Sequence, residues 1–154
     1  MGYSVLESVE KLKPELHGTE GKELARMKQA GHKITDTIIR RLLSVTGDTL
    51  PEVLDKQPHI LESEVLLMEC TFLDASKPKS QVKAGGHVHL DDLIARSDCL
   101  TMPDLILSHT SQIHSHDEIP RKLKALADKI PGRLHAFPTS PDLPWQRVMP
   151  SSEA

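Results

Sequence analysis

Asp48, Glu69, His87 and His109 are the residues of this chain best placed to do chemistry. Three apolar runs of strand length each end in a short polar signature. Residues 42–45 precede Thr46-Gly47-Asp48-Thr49, residues 65–68 precede Glu69-Cys70-Thr71, and residues 105–107 precede Ser108-His109-Thr110-Ser111. A fourth element, Gly85-Gly86-His87-Val88-His89-Leu90, falls between the second and third. In α/β folds, ligands bind outside the carboxyl ends of the strands. Carboxylates and imidazoles at those ends suit metal binding and proton transfer.

Taken singly, each residue has a plainer role. Asp48 comes after Gly47, which lets the backbone turn sharply, and such an aspartate can close a turn or cap the next helix. Glu69 can be an exposed carboxylate at a strand end; if buried, it must find a partner. His87 comes after two glycines that allow close backbone approach. His109 has Thr110 and Ser111 beside it to bond it, and either histidine can be structural. Taken together, three apolar strands all ending in a carboxylate or imidazole, with a glycine-presented histidine between two of them, favour a site.

The pattern around these residues sets the elements that must position them. Residues 3–9 alternate and read as a strand, 11–20 as a loop, and 21–30 as a helix closed by Gly31. Residues 38–45, 64–70 and 104–108 are the three apolar strands. Residues 50–57 form a short helix with Pro51 in its first turn, and 74–83 a loop containing Pro78. Residues 89–100 carry Leu90, Leu93, Ile94 and Leu100 on one helical stripe. Residues 117–130 do the same with Ile119, Leu123, Leu126 and Ile130, and 133–137 form a last strand. The segments between the apolar strands exceed the dozen or so residues that a parallel crossover needs. The chain therefore divides into an α/β domain over 1–137 and a loose Pro-rich tail over 138–154, with four prolines.

Both faces of a parallel sheet must be covered. Only three longer helices and one short one are expected, and aromatic residues make up 3% of 154 residues. One sheet face is therefore expected to lack its cover within these residues. The net charge of -3 gives no broad basic field for non-specific nucleic-acid binding. No stretch approaches the roughly 18 apolar residues of a membrane span, and the first residues lack a signal-peptide pattern. Two cysteines, Cys70 and Cys99, do not make a disulfide framework. A reducing, cytoplasmic setting with free thiols is expected. There is no phosphate-cradling Gly-rich loop, no Cys-x-x-Cys and no Gly-x-Ser-x-Gly. Cys70 has no cationic neighbour in sequence to favour a thiolate and reads as a buried, inert residue. His114 and His116, near His109, read as a solvated loop or an adventitious metal cluster.

The order of these signatures resembles the C-terminal half of metallo-β-lactamase-fold hydrolases, in particular those similar to ribonuclease Z. The matching stretches are Gly2-Tyr3-Ser4-Val5, Lys11-Leu12-Lys13-Pro14-Glu15, Gly21-Lys22-Glu23-Leu24, Thr46-Gly47-Asp48-Thr49, Leu67-Met68-Glu69-Cys70-Thr71-Phe72-Leu73-Asp74, Gly86-His87-Val88-His89-Leu90-Asp91 and Leu107-Ser108-His109-Thr110-Ser111. They run in the family's order over roughly residues 2–120.

The resemblance implies half of an αββα sandwich: one mixed sheet with helices on its outer face. It implies that Asp48 bridges two zinc ions and that His109 is the last histidine ligand of the second. It casts His87 as the acid that protonates the leaving oxygen of a phosphodiester, and Glu69 as the carboxylate that orients it. Ser111 is a weaker candidate for substrate binding. Two metals about 3.5–4 Å apart generate a hydroxide nucleophile and stabilise charge developing on phosphate. The family's His-x-His-x-Asp-His motif does not occur here, and the positions of its phosphate-binding Arg-Tyr pair read Ile113 and His114.

Only two of seven expected ligands are present by this resemblance. The expectation is thus a truncated zinc-dependent phosphodiesterase of the tRNA 3′-processing type, inactive alone. Its partners would be the complementary N-terminal half or a second copy of itself, with RNA as substrate and no membrane. The alternative is a non-catalytic interaction protein that binds through the open sheet face of the half-fold.

Overall fold

The computed structural model describes residues 2–137 and 146–153. Strands β1 (Tyr3–Leu12), β2 (Thr35–Val45), β3 (Val65–Glu69), β4 (Asp104–Ser108), β5 (Arg133–Ala136) and β6 (Gln146–Val148) form one sheet in the order β1-β2-β3-β4-β5-β6. Helices α1 (Gly21–Gln29), α2 (Val53–Lys56), α3 (Lys79–Ala84), α4 (Leu90–Ile94) and α5 (Glu118–Ala127) lie between strands in sequence. The chain divides into two units, Met1–Val5 with Arg41–Ala154, and Leu6–Arg40.

In the larger unit, β2, β3, β4 and β5 run parallel, with Val45 opposite Leu67 and Glu69 opposite Ser108. The antiparallel β6 then makes the sheet mixed, as expected. Strand order keeps to chain order without reversal. Parallel crossovers are right-handed, so successive ones place their helices on the same face. Leu54 of α2, Leu90 and Leu93 of α4, and Ile119, Leu123 and Leu126 of α5 accordingly share one core with Leu66, Met68, Leu105, Leu107 and Leu134. The alternate strand residues Val65, Leu67 and Ile106 are only half-buried. The second face of the sheet is thus less covered among the described residues, as the helix count anticipated.

Three local expectations change. The stretch 74–83, read as a loop because of Pro78, contains α3. Proline lacks only an N–H that a helix start leaves unpaired anyway. Its carbonyl accepts from Gln81 and Val82 N–H, and Val82 anchors the helix in the core at 3% exposure. The stretch 89–100 is not one helix: α4 stops at Ile94 and a 3-10 turn comes next at Ser97–Cys99. Tighter bonds from Cys99 N to Arg96 O and from Leu100 N to Ser97 O carry Leu100 into full burial.

Within the stretch read as a loose tail, Gln146–Val148 forms β6, because Val148 pairs with Leu134 and is buried. Residues 138–145 lie outside the described residues. In the smaller unit, Glu10 accepts hydrogen bonds from Thr35, at 2.7 Å, and Thr37. Arg40 pairs with Glu7 at 2.9 Å. Leu6, Ile38 and Ile39 of this unit are exposed.

Candidate active site

Parallel register brings the carboxyl ends of β2, β3 and β4 side by side, so the segment leaving each strand meets the segment leaving its neighbour. After β2, Gly47 takes φ +66°, a conformation open to glycine at no steric cost, and Asp48 is the next residue. After β4, His109 itself takes φ +58°. This left-handed backbone is costly for a residue with a Cβ and concentrates at functional positions. Asp48 Oδ1 and His109 Nδ1 come to 3.3 Å.

The third member arrives from the segment after α3. Gly86 turns the chain at φ +77°. At Gly85 a Cβ would stand 3.3 Å from His87 Cδ2, so a bare glycine leaves the imidazole its space. The rings of His87 and His109 lie with centroids 5.3 Å apart. Asp48, His87 and His109 each offer a ligand atom, and these atoms lie within 4.8 Å of one another. Two nitrogens and a carboxylate oxygen form a donor set that suits zinc or a similar divalent ion. The trio is therefore a candidate metal-holding group.

Glu69 is buried rather than exposed at its strand end, with 2% of its surface accessible. Oε1 accepts from Val88 N at 2.8 Å and Thr49 N at 3.4 Å, and Oε2 from Thr71 N at 3.1 Å and Thr71 Oγ1 at 2.7 Å. One carboxylate thus ties together the segments leaving β2, β3 and α3. His87 Nδ1 stands 3.5 Å from Oε1. The structure so places His87 beside Glu69 and Asp48 beside His109, the two adjacencies expected.

Thr71 is the residue that sequence reasoning missed. Its hydroxyl lies 3.2 Å from Nδ1 of His87 and 3.2 Å from Nδ1 of His109. A hydroxyl has one proton and two lone pairs. With the proton given to Glu69, both lone pairs are free to accept, so each histidine donates from Nδ1–H. The other groups facing these nitrogens, Glu69 and Asp48, are also acceptors. Both imidazoles are therefore held with Nε2 turned to the remaining chemistry. A signal was present: Thr71 lies two residues beyond Glu69, on the same side of an extended chain.

Ser111 does not join the cluster. Its N–H is given to Thr71 O at 2.8 Å, and its hydroxyl accepts from Ile113 N at 3.5 Å. His114 is buried rather than in a solvated loop. Its Nε2 accepts from Leu73 N at 3.4 Å, and its Nδ1 stands 3.9 Å from Asp74. His116 is exposed. Cys70 is fully buried, and burial, with smaller contributions from the charges of Glu69 and Asp92, pushes its thiol far above the usual range.

No family model matches the chain. Among curated proteins it is 34% identical over 138 residues to tRNase Z TRZ1 of Arabidopsis thaliana, which covers 88% of the chain and 49% of that protein. It is 30% identical over 135 residues to the chloroplastic tRNase Z TRZ2 of the same plant, covering 86% of the chain and 38% of that protein. The chain spans about half the length, or less, of these curated relatives.

Proposed function

This chain is a partial homologue of tRNase Z, and on that premise we propose that it is the C-terminal half of a zinc-dependent phosphodiesterase acting on RNA 3′ ends, inactive alone. The observation that carries the reading is the convergence of Asp48, His87 and His109, with the Thr71 hydroxyl shared between the two imidazoles. In this reading Asp48 and His109 hold zinc. Bound there, zinc supplies Lewis-acid polarisation of a phosphoryl oxygen and an acidified water.

The chain's own residues do the rest. Glu69, fixed by three main-chain N–H groups, and Thr71 hold His87 by its Nδ1–H. Nε2 then carries the proton for the leaving oxygen, and the carboxylate stabilises the imidazolium beforehand. A pair of ligands falls short of the three or four that zinc sites use. A third donor within the chain is His87 itself, and using it as a ligand would remove the acid. Both points support inactivity in isolation. A complementary polypeptide bearing His-x-His-x-Asp-His would supply the missing ligands. Among the described residues no helix is long and apolar enough to cross a membrane, and a cytoplasmic setting accords with the free thiols of Cys70 and Cys99.

The test is cleavage of a precursor tRNA with a 3′ trailer, with zinc, by the chain alone and mixed with such a complementary half. Cleavage only in the mixture, lost with Asp48→Ala, is expected. Robust turnover by the chain alone would overturn inactivity in isolation, and no turnover in the mixture would overturn the enzyme reading. A second reading, a binding protein that uses its open sheet face, draws on the half-buried Leu67 and Ile106 and the exposed Tyr3 and Val5. It predicts a cellular role indifferent to chelators and to His87→Ala.

A further inference from the structure

A cavity of about 560 Å³ opens against Asp48, lined by Tyr3, Arg41, Asp48, Thr49, Gln57 and His59 among others. Its size is that of a small-molecule site. Two of its side chains are unusual. Arg41 has a buried Nε with no hydrogen-bond partner among the described residues, although buried guanidinium nitrogens are normally paired. Tyr3, by contrast, is an aromatic residue left 64% exposed. Its place is set by Gly2, where a Cβ would stand 2.6 Å from Val45 O, so the backbone at Gly2 fits closely on the end of β2. Ser4 is held there too, through Ser44, at 2.7 Å.

We propose that this cavity is a nucleotide subsite for single-stranded RNA, with Arg41 taking a phosphate and Tyr3 stacking a base. The guanidinium is the side chain whose fork matches phosphate oxygens. An exposed aromatic ring is the usual platform for an unpaired base. Asp48 belongs both to this cavity and to the metal-holding trio, so a nucleotide seated here has a neighbouring phosphodiester at the candidate centre. The proposal rests on the phosphodiesterase reading and names where its substrate chain is gripped.

The test is titration of the full chain with adenosine 5′-monophosphate and with an adenosine tetranucleotide, monitored by NMR, with a chelator present so that metal plays no part. Both ligands are expected to bind and to compete. Arg41→Gln should weaken the monophosphate at least tenfold, and Tyr3→Leu several-fold for both ligands, while Tyr3→Phe binds normally. Arg121→Gln, the same charge change at an exposed position of α5, should leave binding intact. Equal weakening by Arg121→Gln, unchanged affinity in Arg41→Gln with a native spectrum, or exclusion of the tetranucleotide would overturn the subsite. Zinc binding at Asp48 and His109 is read separately by calorimetry, so loss of one reading leaves the other standing.

Discussion

Thr71 donates its hydroxyl proton to Glu69 Oε2 across 2.7 Å. That bond decides what the rest of the cluster can do. It commits the only proton on the hydroxyl, so His87 and His109 must both approach as Nδ1–H donors. Thr71→Val, nearly isosteric, removes the hydroxyl acceptor that both rings share. The expected outcome is a ten- to hundredfold loss of zinc affinity, about the range seen when such supporting partners are removed. Thr71→Ser should restore most of it. Calorimetry measures the affinity, and 15N shifts of the imidazoles report the tautomer directly.

Asp48 and Glu69 separate site from scaffold. The Asp48 side chain is 63% exposed and that of Glu69 1%. Asp48→Ala should change stability by no more than about 0.5 kcal/mol, as for ordinary surface substitutions, yet abolish zinc binding. Glu69→Gln turns an amide group toward main-chain donors and should cost about 2–3 kcal/mol, the order of a buried donor left unpaired. Urea unfolding of both variants checks the contrast.

Acid should loosen the join between β4 and β5. Hydrogen bonds from Arg133, opposed by partial burial and aided by His135, hold the Asp104 carboxyl down at about 2. Lys122 and Ser76 likewise hold Asp74 below its ordinary value. A depressed carboxyl stabilises the fold fully above its unfolded value near 4 and loses that contribution as pH falls toward its folded value. Stability should therefore decline between about pH 4 and pH 2. Asp104→Asn should be less stable at neutral pH and show a shallower decline, read by thermal unfolding across that range.

The two thiols should behave differently from free cysteine and from each other. Burial raises both, Cys70 more than the partly accessible Cys99. At pH 8, iodoacetamide should modify Cys99 slowly and Cys70 only after denaturant is added, as peptide mass mapping would show. Rapid labelling of Cys70 in the native protein would contradict its placement in the core.

Much of this architecture is written locally. The runs before Asp48, Glu69 and His109 are uninterrupted or nearly uninterrupted aliphatic segments of strand length, and β4 occupies the residues its pattern indicates. The helical stripe of Ile119, Leu123 and Leu126 marks α5 because its period is a property of neighbouring residues. Errors arose where local and long-range demands diverge. Pro78 looks like a breaker yet sits just before a helix, and Val148 looks like tail until it pairs with Leu134 across the sheet.

The four candidate residues were legible because each sits close after an apolar run or a glycine pair, and residue type is independent of folding. Their roles depend on separations that span up to 61 positions, from Asp48 to His109. Only tertiary structure settled that Glu69 is buried, that it binds the segments leaving β2, β3 and α3, and that Ser111 stands apart. Thr71 became visible as a shared acceptor only once two rings from distant segments were brought within 3.2 Å of it. Hydrogen-bond direction is a property of a finished network: one proton and two lone pairs acquire meaning only when every neighbour is in place.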